Sequence, residues 1–105
     1  MKVQEVGTDH DLDFAKIVCD AFDLGDEATP WLAKLPGRPD WHIFMGFDRK
    51  QPTGVGALFV QNGIGWTDWG ATAHEFRRRG GQGALLEVRV ERALEMGCRS
   101  IFTCT

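Results

Sequence analysis

The sequence contains no tyrosine, and its three cysteines, Cys19, Cys98 and Cys104, form no Cys-x-x-Cys pair. The missing phenol removes one common proton donor from any catalytic scheme. The odd cysteine count and the spacing argue against a disulfide framework or a bound metal, and they place the chain in a reducing, cytoplasmic compartment. No apolar run approaches the roughly 18 residues needed to span a bilayer, so no membrane association is expected. The opening residues Met1-Lys2-Val3-Gln4-Glu5-Val6 lack the apolar stretch of a secretory signal. Positive charge is not in excess either. Twelve Lys and Arg stand against 15 Asp and Glu, a formal net charge of −3, which argues against nucleic acid as a partner.

What is present fits one globular domain spanning residues 1–105. Apolar residues make up 43% and charged residues 26% of the chain, the balance of a soluble domain. Thirteen glycines and four tryptophans are the compositional excess.

Local patterns predict an α/β order. Residues 3–6 read as a strand. Thr8-Asp9 offers an N-cap for a helix whose stripe is Leu12, Phe14, Ala15, Ile17, Val18, Ala21 and Phe22. Thr29-Pro30 opens a short helical piece over residues 31–35, and Pro36-Gly37-Arg38-Pro39 stops it. Residues 41–47, 53–61 and 64–73 are three aromatic and β-branched runs. The second and third are joined by Asn62-Gly63, a strong hairpin signal, so the three form an antiparallel meander. A long helix follows, with stripe Leu85, Leu86, Val90, Ala93 and Leu94 and with Gly97 as its C′ residue. Residues 100–105 are a last strand. The final β-α-β step is expected to be parallel and right-handed, giving a mixed sheet with helices on both faces.

The informative segment is Arg77-Arg78-Arg79-Gly80-Gly81-Gln82-Gly83, at the opening of the long helix. First-turn amides have no partner within a helix and sit at the positive end of its dipole. Glycines leave that backbone open to close approach, and the three arginines add charge. These features together suit a phosphate or pyrophosphate. The segment is neither of the two common nucleotide loops. No Lys-Ser or Lys-Thr pair exists for a Walker loop, and Gly80, Gly81 and Gly83 do not make Gly-x-Gly-x-x-Gly.

At these residues the chain resembles the GNAT superfamily of acetyl-CoA-dependent N-acetyltransferases, whose signature is Arg/Gln-x-x-Gly-x-Gly/Ala at the helix after the fourth strand. Arg78-Arg79-Gly80-Gly81-Gln82-Gly83 satisfies that spacing. A register starting at Arg77 places Leu85-Leu86 where the family's paired leucines fall and puts Gln82 in the second small position. The resemblance extends to the order of elements, although relatives continue past the fifth strand through a helix and two further strands. It implies that the backbone of Ala71, Thr72 and Ala73 lines the pantetheine arm. It also implies that Arg78, Arg79, Gly80, Gly81, Gln82 and Gly83 cradle the pyrophosphate of acetyl-CoA, the co-substrate, with no metal involved.

The implied reaction is direct attack of a small-molecule or peptide amine on the acetyl thioester. A main-chain amide of the fourth strand, near residues 69–71, would polarise the carbonyl. Asp68 is the acidic residue within residues 64–73 and the candidate base. Two-residue alternation puts it on one face with Trp66 and Gly70. His74 and Glu75, in the following loop, are the alternatives. Cys98 and Cys104 read as small buried residues, and the four tryptophans as core or as an aromatic wall for the acceptor. The Glu87, Glu91 and Glu95 stripe reads as a solvated face. A second reading is a non-catalytic CoA-binding or interaction module on the same fold. The uncharged, proline-free segment 101–105 would present an open sheet edge, so a homodimer is expected.

Overall fold

The computed structural model describes residues 2–77 and 81–103. Five strands form one sheet in chain order: β1 (Lys2–Val6), β2 (Trp41–Asp48), β3 (Gln51–Gln61), β4 (Ile64–Thr72) and β5 (Ser100–Thr103). The first four pair antiparallel, and β5 joins β4 in parallel through α3 (Gly81–Glu95). The α/β class, the meander and the closing β-α-β step therefore stand as the sequence predicts.

Alternation along the strands sorts the core into two halves. Ile43 and Met45 of β2 point with Val55 and Ala57 of β3 toward α1 (Asp11–Phe22) and α2 (Thr29–Leu32), where Phe14, Val18 and Leu32 are fully buried. Phe44 and Leu58 point the other way, onto Leu85 and Ala93 of α3. Helices thus cover both faces.

The turns follow from local chemistry. Asn62 and Gly63 link β3 to β4 with φ of 55° and 76°, the left-handed pair of a tight hairpin. Gly97, at φ 82°, ends α3.

Several local expectations are corrected. Thr8-Asp9 does not cap α1. Residues Thr8–His10 make a 3₁₀ turn, and His10 takes the N-cap position without a side-chain cap bond. The short helix spans only Thr29–Leu32, and the β2–β3 turn narrows to Arg49-Lys50 because pairing continues to Asp48↔Gln51. Leu12, Phe22 and Leu94 lie at the margins of their helices' buried stripes and are exposed. Arg89, absent from the predicted stripe, is buried between Leu85 and Ala93 at i, i+4 and i+8. Cys19 and Cys98 are buried free thiols, whereas Cys104 lies outside the described residues.

Candidate functional site at the interruption of β4

The site begins where the ladder fails. Pairing between β3 and β4 runs through Ala57↔Asp68 and resumes at Val55↔Ala71. Trp69 and Gly70 therefore oppose the single residue Gly56, which is a β-bulge. Among the described residues, pairing of β4 with β5 stops at Thr67↔Thr103, one residue earlier.

Trp69 carries a left-handed φ of 51°, which an aromatic side chain adopts only when its surroundings require it. Its N–H donates to Asp68 Oδ1 at 2.8 Å. Its ring meets Phe22 and Trp31 edge-on, with centroids 6.0 and 5.8 Å away. The bulge also overturns one expectation. Gly70 does not share a face with Trp66 and Asp68, because the extra residue breaks the alternation. A Cβ on Gly70 would meet Gln82 Oε1 at 2.9 Å, on the α3 side.

A cavity of about 550 Å³ opens at this point, bounded by Asp68, Trp69 and Gly70 of β4, Phe22 of α1, and Gln82 and Gly83 of α3. A smaller one of about 220 Å³ lies between Gly54, Thr72, Phe76 and Gly81. The first turn of α3 borders both, Gly81 the smaller and Gln82 and Gly83 the larger. Nothing approaches within 4 Å of where a Gly83 Cβ would stand, so that turn is uncovered on this side. A 15-residue helix brings its positive end and its unpaired first-turn amides to this spot. That fits an anionic group such as a pyrophosphate.

Of the sequence candidates, Asp68 borders the larger cavity, as do Gln82 and Gly83. Ala71 is buried in β4 beneath α1, Thr72 closes the strand, and Ala73 follows it. Gly81 opens α3. Arg78, Arg79 and Gly80 lie outside the described residues. His74 and Glu75 border a different depression beside Asp13 and Lys16, and their side chains contact Arg77 and Gln51 respectively. The Gln82 side chain turns inward: Nε2 donates to the carbonyls of Ala71 at 2.8 Å and Val55 at 3.2 Å.

Sequence reasoning missed Arg89. It is 4% exposed, with Nε donating to the Leu85 carbonyl and Nη1 to the carbonyls of Ala57 and Asp68. Burial lowers its pKa from the ordinary guanidinium value, and the Asp68 charge opposes that shift. The available signal was an arginine placed between Leu85 and Ala93 on a helical face, with Gly56 in the facing strand. Trp41, Trp66 and Trp69 are half-buried, with Trp41 and Trp69 packed against the core on the α1 side, and Trp31 is exposed. Trp69 belongs to the bulge, and the Trp31 ring meets it edge-on. Among the described residues, no three His, Cys, Asp or Glu side chains gather as a metal site, and no helix is long and apolar enough to cross a membrane.

No protein-family model matches the sequence, and no curated protein matches it. Solved structures do. A ribosomal-protein-alanine N-acetyltransferase from Brucella melitensis biovar Abortus 2308 superposes with a TM-score of 0.85 at 13% identity, over 100% of this chain and 80% of its own. An aminoglycoside acetyltransferase from an uncultured soil metagenomic sample, in complex with sisomicin, gives 0.81 at 15% identity over 99% and 76%. The aminoglycoside acetyltransferase AAC(6')-Iy, bound to a bisubstrate analogue of CoA and acetylneamine, gives 0.81 at 14% identity over 99% and 78%. A strand order, a crossover and a backbone path shared at such low identity are a likeness of fold. The fold of this chain is that of the GNAT acetyltransferases.

Proposed function

We propose that the chain transfers an acetyl group from acetyl-CoA to an amine by direct attack. The observation that carries this reading is the convergence on one cavity of three features: the first turn of α3, the bulged backbone at Trp69 and Gly70, and the Asp68 carboxylate. The first turn of α3, with Gly81, Gln82 and Gly83, would seat the pyrophosphate together with Arg78, Arg79 and Gly80. The backbone of Ala71, Thr72 and Ala73 would run beside the pantetheine arm.

In the step itself, the amine nitrogen attacks the acetyl carbon and the carbonyl oxygen becomes an oxyanion. The Trp69 N–H is taken by Asp68, so the Gly70 N–H of the bulge is the donor assigned to it in this reading. The C–S bond then breaks and the sulfur leaves with the electron pair, while the proton lost by the amine passes to a base. Asp68 is that base in this reading. Trp69 N–H occupies its Oδ1, so its second oxygen is the one offered to the acceptor. The neighbours in complex with sisomicin and with a CoA–acetylneamine analogue act on aminoglycosides, polyamines whose chemistry supports an amine acceptor here. A second reading, CoA binding without turnover, is favoured by the absence of any tyrosine to protonate the leaving thiolate.

Calorimetric titration with acetyl-CoA tests the seat, and thiol release with a panel of amines tests transfer. Gly81→Asp would put bulk and negative charge at the helix start. Charge-assisted hydrogen bonds contribute about 1.5–3 kcal/mol each, so losing two weakens acetyl-CoA binding more than roughly a hundredfold. A folded Gly81→Asp protein that binds as tightly as wild type overturns the seat. Tight binding without thiol release selects the second reading.

A further inference from the structure

The α3 side chains beneath the bulge have a role that the transfer reading does not assign. A bulge removes ladder donors from the carbonyls beside it, and a buried carbonyl left without a donor is costly. Here four carbonyls around the interruption are met by two side chains. Gln82 Nε2 donates to Val55 and Ala71, and Arg89 Nη1 donates to Ala57 and Asp68. Two of these carbonyls belong to β3 and two to β4, with Gly56 and the Trp69–Gly70 pair between them.

Two glycines make the room. A Cβ at Gly56 would stand 2.6 Å from Arg89 Cζ, and one at Gly70 would stand 2.9 Å from Gln82 Oε1. Gln82 and Arg89 are seven residues apart and so share a helical face. Among the described residues Arg89 forms no ion pair. A buried cation without an ion pair is expensive, and an apolar side chain would fill the same space at less cost. What an apolar side chain cannot supply is donors to the bulge.

We propose that Gln82 and Arg89 are positioning residues, a clamp from α3 that holds the β4 bulge and so aims the backbone that meets the acetyl group. The proposal rests on the acetyltransferase reading for its chemistry and on the hydrogen bonds for its geometry. It makes the cofactor seat and the bulge one rigid unit, because Gln82 belongs to the first turn of α3 and its amide grips both strands.

The test compares Arg89→Met, Arg89→Lys and Gln82→Met. Amide hydrogen exchange by NMR, without acetyl-CoA, should speed up at least about tenfold at Trp69, Gly70 and Ala71 in Arg89→Met, while the β2–β3 ladder keeps its protection. In the same protein kcat should fall at least about tenfold with the KM for acetyl-CoA within about threefold, and Arg89→Lys, which keeps charge and donors, should recover part of kcat. If Arg89→Met fails to fold, Gln82→Met, at a half-buried position, is read by the same exchange measurement. Wild-type exchange at those three amides overturns the clamp. So does a loosened bulge with unchanged kcat, or a lost kcat with unchanged exchange. A wild-type protein that neither binds nor turns over acetyl-CoA overturns the functional reading instead, and the exchange comparison still decides the clamp.

Discussion

Asp68 has one observed task and one proposed task, and the right substitution separates them. Its Oδ1 accepts the Trp69 N–H at 2.8 Å, which steadies a residue in the left-handed region. The proposed second task is to accept the proton of the attacking amine. Asparagine keeps an oxygen for Trp69 but cannot act as the base. Asp68→Asn should therefore lower kcat/KM by roughly 10²–10⁴ while affinity for acetyl-CoA stays near wild type. Steady-state kinetics beside calorimetry reads both quantities. Unchanged turnover removes Asp68 as base. His74 and Glu75 border a separate depression, so such a result would point to solvent as the proton acceptor.

At the scale of the element, turns and strands differ in what adjacent residues can dictate. The Asn62-Gly63 hairpin and the Gly97 helix end were both legible, because a left-handed backbone selects its residue locally. The two glycines are not equivalent in the fold. A Cβ at Gly63 would stand 2.9 Å from Arg99 Nη1, whereas one at Gly97 meets nothing within 4 Å. Both alanine variants carry the left-handed strain of about 1–2 kcal/mol, and Gly63→Ala must also displace Arg99. Urea denaturation should show both destabilised by similar amounts, because the Arg99 guanidinium is the end of a flexible side chain and can swing aside. A markedly lower midpoint for Gly63→Ala would mean that Arg99 is held in place. The β4 strand behaves in the opposite way. Residues 64–73 read as one alternating run, and nothing adjacent to Trp69 announces the bulge that reverses Gly70.

At the scale of the whole molecule, the sheet separates two cores and, among the described residues, ends at β5. Among the described residues β5 pairs only with β4, and Phe102 is 53% exposed. Phe102 ends an aromatic row that crosses four strands, Trp41–Phe59–Trp66–Phe102, with neighbouring centroids 5.0, 5.6 and 6.4 Å apart. An edge strand without charge or proline beside an exposed aromatic is prone to pairing. We propose that two copies pair through the described face of β5 about a twofold axis, burying more than about 1,000 Å² in total if the contact is specific. Sedimentation across a concentration series should show the dimer in wild type and its loss in Phe102→Lys. A monomer at high micromolar concentration overturns the expectation.

By itself the sequence determined the order of elements, the two-sided sheet and the place of the glycine-rich helix start, because each depends on neighbours within a turn or a pleat. It also singled out Asp68 as the carboxylate of the fourth strand. The bulge, the cavity beside it and the partners of Gln82 and Arg89 were decided only by the tertiary structure. Gln82 meets Val55 across 27 residues of chain and Arg89 meets Ala57 across 32. No periodicity reports a side-chain donor supplied from so far away to a strand carbonyl.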